Sequence, residues 1–193
     1  LDMGAKGIIV PMIKSLVDVL DAISHIKFSP EGKRSYALSR CTGYGEFSDD
    51  YFKNANKEIF IGVMIEHIDA LKDLDEIFLC KSIDVVFVGP YDLSGSMGIP
   101  GQFDDPRFKA AMKTIQDKAI LHNITMGFHE VHPTKEKVMN LLRNGFRFIA
   151  CGIDTLFLME KSKEFASLSI NEENSVANKK GKTMYSPANN YKV

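Results

Sequence analysis

The sequence predicts an α/β fold in which parallel strands alternate with helices. Short apolar runs rich in β-branched residues recur along the chain, and segments with apolar residues at helical spacing separate them. This alternation predicts right-handed crossovers and a parallel sheet, either an open doubly wound sheet or a (β/α)8 barrel. Five strand–helix units would complete a small open sheet but only part of an eight-stranded barrel, so their number leaves both architectures open.

The first unit pairs a buried strand with an amphipathic helix. Residues 7–13, GIIVPMI, are apolar on both faces, as expected of a fully buried parallel strand, and Pro11 stops the run. Ser15 is the predicted N-cap of a helix over 15–26. No GxGxxG or P-loop sequence opens this helix, and the absence of these nucleotide fingerprints weakens the open-sheet alternative a little.

The second and third units repeat the pattern. After a polar connection and a predicted short helix over 49–56, the apolar run EIFIGVMIE predicts a strand over 58–66, and a helix follows over 67–79. The third strand, DVVFVGP, spans 84–90. A loop of glycines and serines comes next, and an aspartate begins the helix predicted over 105–123.

The last two units are weaker in pattern but complete the series. Strands predicted over 124–130 and 146–152 flank a helix over 133–145, whose terminal Gly145 fits a C-cap. The final helix is predicted over residues 154–168. The sequence therefore predicts five strands that alternate with helices.

The composition indicates one globular domain with a core. In 193 residues, 24 Lys and Arg almost cancel 25 Asp and Glu, so the net charge implies no attraction to nucleic acid or anionic lipid. No apolar stretch approaches the roughly 20 residues of a membrane span, and three widely spaced cysteines favour a reduced, cytoplasmic protein. We expect the domain to cover residues 1–170 and a polar tail, an arm or a disordered extension, to cover 171–193.

Two acids lie at the carboxyl ends of neighbouring predicted strands, where chemistry gathers in both architectures. Glu66 closes the second apolar run, and Asp92 lies two residues past the third. Neighbouring parallel strands lie roughly 5 Å apart, and two carboxylates at that distance repel each other unless a cation lies between them. A divalent ion such as Mg²⁺ or Mn²⁺ would satisfy both. Alternatively, each acid caps the helix that follows it. This alternative to metal binding is stronger for Asp92 than for Glu66, because glutamate is a poorer N-cap residue.

The segments GVMIE and VFVGPYDLSGSMGIPGQFDDP resemble the HpcH/HpaI aldolase family, the metal-dependent class II pyruvate aldolases. The resemblance runs from Leu1 to about Glu160 and includes LDMGAKGIIVPM, PEGKRS and FRFIACGIDTLFL, with GPYDLSGSMG its most specific part. The family fold is a (β/α)8 barrel of the phosphoenolpyruvate/pyruvate type. The resemblance therefore implies that this chain contains about the last five βα units of a TIM barrel.

The same resemblance implies roles for individual residues. Glu66 and Asp92 would bind a divalent ion, Mg²⁺, Mn²⁺ or Co²⁺, which holds a 2-keto acid through its carboxylate and keto oxygens. The substrate would contact Gly89, Pro90, Tyr91 and Asp92. The backbone N–H groups of Tyr91 and Asp92 would donate hydrogen bonds to the pyruvate carboxylate. The implied reaction is the reversible cleavage of 2-keto-4-hydroxy acids to pyruvate and an aldehyde.

Parts of the family pattern are missing or altered. Asp2 matches a family acid that makes the catalytic histidine more basic, but that histidine, a transition-state arginine and the first three strands are expected before Leu1. The chain by itself is therefore expected to be a catalytically impaired fragment. Met64 stands where family members often carry a glutamine that contacts substrate, and a thioether cannot replace its amide donor.

Two other functions remain open at this point. A citrate-lyase-like acyl-CoA lyase uses a similar barrel and acid pair, but it would need a basic groove, and none is evident. A catalytically dead fragment would act as an interaction module, because an open barrel side favours association. A homo-oligomer is expected by resemblance. Arg34 is expected either to bind an anion or to tether its loop, and His67 to start a helix.

Overall fold

The computed structural model describes residues 1–177, and the end of the predicted polar tail lies outside these residues. Strands alternate with helices, which confirms the α/β class. The strands are β1 Gly7–Val10, β2 Phe60–Ile65, β3 Val85–Val88, β4 Thr125–Glu130 and β5 Phe146–Cys151. The α-helices are α1 Leu16–Ile26, α2 Ser48–Glu58, α3 Leu74–Phe78, α4 Pro90–Ser96, α5 Pro106–Leu121, α6 Lys135–Arg143 and α7 Asp154–Ala177, and Arg40–Gly45 and Ile68–Lys72 form 3₁₀ helices.

The strands form one parallel sheet in sequence order, β1-β2-β3-β4-β5. Since all strands run the same way, their carboxyl ends share one edge of the sheet and their amino ends share the other. The carboxyl edge is formed by the last residues of the strands, Val10, Ile65, Val88, Glu130 and Cys151. The amino edge is formed by their first residues, Gly7, Phe60, Val85, Thr125 and Phe146.

One face of the sheet is buried against helices at its centre, in β2 and β3. Val63 and Ile65 of β2, with Val86 and Val88 of β3, are at most 1% exposed and pack in one cluster with Ile115 of α5. Alternating side chains point to opposite faces of a strand, so these residues define the helix-covered face. This close packing fixes where each strand ends and therefore positions the residues of the carboxyl edge.

The opposite face of the sheet is concave. The ring of Phe60 in β2 stacks on that of Phe148 in β5, with centroids 5.4 Å apart, and Phe87 of β3 meets Phe148 at 5.9 Å. Strands β2 and β5 are three positions apart, which is about 14 Å in a flat sheet. Rings on such distant strands meet because the sheet curves around them.

A second apolar cluster lies at the amino edge, between α1 and α2. Phe28 is 2% exposed, stacks on Tyr36 at 4.7 Å and meets Phe52 edge-on at 5.2 Å. Leu1 packs against the same cluster. These aromatic contacts hold the long connection after α1 against the sheet.

Several predicted helix signals are confirmed. The Ser15 hydroxyl accepts a hydrogen bond from the Asp18 amide at 3.3 Å, and the Asp105 carboxylate accepts one from the Arg107 amide at 2.8 Å. Gly145 follows α6 with φ of +88°, the left-handed backbone that favours glycine after a helix.

Two predicted elements differ from the structure. The loop predicted after β3 contains helix α4, which begins with Pro90 at a position where proline fits a helix, and the Ser94 hydroxyl ties this turn to the Tyr91 carbonyl and the Gly101 amide. The continuous helix predicted over 67–79 is broken instead, because the backbone leaves helical geometry at Asp73 (φ −111°, ψ 12°).

The described chain divides by packing into two units, Leu1–Cys151 and a second that begins at Gly152. Helix α7 continues to Ala177, seven residues into the segment predicted as a tail. No helix among the described residues has both the length and the apolarity that crossing a membrane requires. The three cysteines are free.

Candidate functional site

The two predicted acids lie at the carboxyl edge, on neighbouring strands. Glu66 directly follows β2, and Asp92 lies in α4, which begins two residues after β3. The ends of these strands are in register, with Ile65 paired to Val88. The structure therefore brings the loops that carry both acids to the same part of the sheet, as the sequence predicts.

Glu66 is a buried carboxylate in a narrow cradle. Its residue is 4% exposed, and its Oε1 accepts a hydrogen bond from the backbone N–H of Met12 at 2.7 Å. Its Oε2 lies against Gly89, where a Cβ atom would be only 2.6 Å away. A side chain at position 89 would force this carboxylate to move, and the Met64 methyl group lies next to the same point.

Neither acid is the N-cap of the helix that follows it. Gly89 caps α4, and Asp92 is its third residue and exposed to solvent. His67 caps the 3₁₀ helix after β2, with its Nδ1 accepting from the Asp69 amide at 3.2 Å, which confirms the predicted helix start. The capping alternative is therefore wrong for both acids as N-cap residues.

The donor set fits a hard divalent ion that keeps several sites for other ligands. Carboxylate oxygens are what Mg²⁺ and Mn²⁺ prefer, and such ions serve catalysis with few protein ligands and open positions. Among the described residues, no group of three or more His, Cys, Asp or Glu side chains is placed to bind a metal. With Glu66 and Asp92 as protein ligands, water and substrate would complete the coordination.

The first turn of α4 presents backbone donors beside the acids. Pro90 has no N–H group, so the first free amides of this turn belong to Tyr91 and Asp92. Gly89 and Pro90 are both buried and fix the direction of the turn. The arrangement provides uncharged donors close to the carboxyl edge.

Asp2, the predicted partner of a base, lies at the other edge of the sheet. It precedes β1 by five residues, and its backbone carbonyl accepts a hydrogen bond from the Cys41 amide. Strand β2 alone, with six residues, spans about 20 Å. Within one chain, the strand length therefore separates Asp2 from Glu66.

Arg34 binds the Asp2 carboxylate of its own chain, which agrees with the tether, one of the two roles expected of it. Its side chain is 7% exposed, donates to Asp2 and to the Tyr51 hydroxyl, and lies over the Phe28 ring at 4.6 Å. Burial lowers the pKa of Arg34, but the hydrogen bonds to Asp2 and Tyr51 outweigh it and hold the pKa above its ordinary value. Asp2 therefore has a permanent cationic partner.

A cavity of about 270 Å³ lies beside the first turn of α4. The rings of Tyr91, Phe103, Phe108 and Phe128 form its apolar wall, and Lys137 lies on its polar side. Tyr91 meets Phe103 edge-on with ring centroids 5.0 Å apart. The residue that precedes Asp92 in the chain therefore lines an apolar cavity.

Met12 contacts the candidate site but was not predicted as a site residue. Its amide is the donor to Glu66, although the two residues are 54 positions apart. Pro11 gives a partial signal, because it ends β1 and moves the first free N–H after the strand to residue 12. The contact itself depends on the pairing of β1 with β2, which the sequence does not specify.

Comparison with known proteins identifies relatives of one family. The profile of the HpcH/HpaI aldolase/citrate lyase family matches residues 1–160. A hydroxypyruvate/pyruvate aldolase of Roseobacter denitrificans is 31% identical over 173 residues, and a 2-keto-3-deoxy-L-rhamnonate aldolase of Salmonella dublin is 31% identical over 162. The matches cover 86% and 83% of this chain, but the chain spans only 65% and 60% of those relatives.

A solved structure supports the fold. A HpcH/HpaI aldolase/citrate lyase family protein from Burkholderia cenocepacia superposes with a TM-score of 0.79 at 24% identity. The alignment covers 87% of this chain and 66% of that protein. At this identity the similarity establishes the arrangement of the elements.

Proposed function

This chain belongs to the HpcH/HpaI aldolase/citrate lyase family, and we propose that it forms the metal and keto-acid half of a pyruvate aldolase site. The reaction would be the reversible cleavage of a 2-keto-4-hydroxy acid to pyruvate and an aldehyde. The names of two relatives, both aldolases of keto acids, support this reaction class. The single observation that carries the proposal is the buried Glu66 carboxylate, held in the Gly89 cradle beside the turn that bears Asp92.

Glu66 and Asp92 would hold a divalent ion, Mg²⁺, Mn²⁺ or Co²⁺. When bound, such an ion withdraws electron density from a keto group and stabilises negative charge that develops there. Glu66 contributes a carboxylate whose direction is fixed by burial and by the Met12 amide. Asp92 contributes an exposed carboxylate from the first turn of α4, where a negative charge is favoured by the helix dipole.

The first turn of α4 would bind the carboxylate of the keto acid. The amides of Tyr91 and Asp92 are donors without a partner inside the helix, and Gly89 and Pro90 shape the approach to them. The apolar cavity beside Tyr91 leaves space near this turn. Backbone donors would hold the substrate while the acid pair holds the ion.

We propose that none of the five histidines of this sequence is the general base, because none matches the base motif that the family resemblance implies. Asp2 would assist that base, as the family resemblance implies. Because Asp2 lies at the amino edge of its own sheet, it would assist a base at the carboxyl edge of another copy's sheet. This geometry supports the proposal of a homo-oligomer, in which one copy's Asp2 serves the site of another.

We also propose that the five strands form part of a TIM-barrel wall. The contact between the Phe60 and Phe148 rings across three strand positions supports it, since such curvature is needed to close a barrel. Residues Ile9 and Phe148 on the concave face are 36% and 37% exposed. Three further strands would bury them.

The test of the function is metal-dependent release of pyruvate from 4-hydroxy-2-keto acids. In a protein that also supplies the general base, turnover is expected to occur with Mg²⁺ or Mn²⁺, to stop with EDTA and to be lost in Glu66→Gln. Turnover that persists under chelation would contradict the proposal.

A binding experiment tests the metal and keto-acid half of the site without requiring the general base. Mn²⁺ bound to this chain should accelerate the relaxation of the pyruvate methyl protons, and Glu66→Gln with Asp92→Asn should remove the acceleration. The Asp2→Asn variant is the matched control and should behave as the parent. Equal relaxation in the double variant would place pyruvate elsewhere.

A further inference from the structure

The turn at Pro11 and Met12 joins the end of β1 to the buried Glu66 carboxylate. The Met12 amide donates to Glu66 Oε1 at 2.7 Å, a short distance typical of a hydrogen bond to a charged acceptor. Pro11 has no N–H group, so residue 12 carries the first amide available after the strand. The contact therefore links two neighbouring strands at the point where the candidate ion would bind.

Met12 has an unusual backbone for a residue with a side chain. Its φ is +56°, in the left-handed region that favours glycine. The methionine side chain is 47% exposed, so burying this side chain does not account for the conformation. The next residue, Ile13, is 2% exposed and belongs to the main core, which anchors the turn on its far side. The strained backbone directs an amide at Glu66.

The two oxygens of Glu66 then have different surroundings. Oε1 is occupied by the Met12 amide, whereas Oε2 lies in the Gly89 cradle on the side of β3 and α4. A hydrogen bond to one oxygen leaves the other oxygen of a carboxylate free to coordinate an ion, and outer contacts of this kind orient metal ligands. The amide and the cradle together select one orientation of the carboxyl group.

We propose that Met12 is a positioning residue, whose left-handed backbone holds Glu66 so that Oε2 is presented to the divalent ion. This inference rests on the proposed function, because it requires that Glu66 is a metal ligand. It assigns to residue 12 a role that depends on its backbone conformation and amide, and not on its thioether.

The test compares Met12→Gly with Met12→Val in the full chain. Glycine adopts the left-handed backbone without strain and keeps the amide, so the dissociation constant for Mn²⁺, measured from the signal of free Mn²⁺ by electron paramagnetic resonance, should change less than twofold. A β-branched residue disfavours positive φ, so Met12→Val should turn the amide away and weaken Mn²⁺ binding at least tenfold. The melting temperature without metal separates this effect from general destabilisation.

A second measurement applies even where Met12→Val does not fold. In the parent, the Met12 amide proton should resonate downfield and exchange slowly, and Glu66→Gln should move it upfield and accelerate its exchange at least tenfold. An unchanged amide would overturn the inference, as would equal Mn²⁺ affinity of the folded valine and glycine variants. If the parent binds no Mn²⁺ while its Met12 amide responds to Glu66→Gln, the contact exists but the proposed metal site fails, and the inference fails with it.

Discussion

Asp2 and Glu66, at opposite edges of the sheet, have opposite surroundings. At the amino edge, the Asp2 carboxylate is paired with the buried Arg34 guanidinium. At the carboxyl edge, the contact made by the Glu66 carboxylate is the uncharged Met12 amide, and a glycine leaves space beside its second oxygen. Asp2 therefore has its own cation, and we propose that Glu66 receives one.

This difference separates an acid that is already paired with a cation from an acid that has no cation beside it among the described residues. A guanidinium that bonds a carboxylate, a tyrosine and an aromatic face ties three chain segments together. A buried carboxylate in a glycine cradle contributes little packing and requires compensation of its charge. We therefore expect the amino edge to govern stability and the carboxyl edge to govern metal binding.

The largest expected effect on stability is that of Arg34→Met. It removes charge-assisted hydrogen bonds and a cation–π contact from a side chain that is 7% exposed, so the free energy of unfolding should fall by about 1–3 kcal/mol. Urea unfolding measures the change, and Mn²⁺ affinity should stay the same. The matched control is the exposed Arg40→Met, which should change stability little. A selective loss of Mn²⁺ binding in Arg34→Met would break the division between the edges.

Gly89→Ala tests the carboxyl edge. The added methyl group would lie 2.6 Å from Glu66 Oε2, so the carboxylate must move, and Mn²⁺ affinity should fall at least tenfold, or about 1.4 kcal/mol. Gly95→Ala in the same helix is the control, because its methyl group would meet no atom within 4 Å. Calorimetric titration of both variants measures the difference. Equal affinities would show that the cradle does not define the site.

The smallest effect is expected for a second ion-pair group near the amino edge. His122 and Lys118 hold the pKa of Asp75 below its ordinary value of 3.8, with His122 the larger cause. A carboxyl with a lowered folded pKa stabilises the fold above its unfolded pKa, and this contribution is lost as the pH falls through the folded pKa. Asp75→Asn should therefore lower the melting temperature slightly at pH 6, and the difference should shrink below pH 3.8 and disappear once the pH is below the lowered folded pKa.

Glu76→Gln, which alters the exposed acid next along α3, is the control for that experiment. At pH 6 it should lower the melting temperature less than Asp75→Asn does, because no ion pair of Asp75 is removed. A difference between Asp75→Asn and the parent that grows as the pH falls would contradict the assigned sign.

The fold was largely predictable because each strand has its own apolar run and each helix its own periodicity. The exception at α4 has a physical cause: its glycine and serines have low helix propensity, so the segment is typical of a loop. Its helical form depends on Pro90 at the first position and on Ser94, which bonds the Tyr91 carbonyl and the Gly101 amide. Such contacts are not visible as a pattern in the sequence.

The acids of the site were predictable, but their environments were not. Strand ends mark Glu66 and Asp92, since parallel strands end at one edge. The Met12 amide and the Arg34 guanidinium reach partners 54 and 32 positions away, which only the packing of the strands brings together. The family resemblance implied a role for Asp2, but its position at the far edge becomes evident only from the fold.

The most direct test of the central claim is Mn²⁺ binding by the parent, by Asp2→Asn, and by Glu66→Gln with Asp92→Asn. A ligand at one hundred times its dissociation constant stabilises a fold by about 2.7 kcal/mol, which should raise the melting temperature of a domain of this size by about 5–10 °C. We expect this rise in the parent and in Asp2→Asn, and none in the double variant. No rise in the parent, or an equal rise in the double variant, would contradict a metal site at the carboxyl edge.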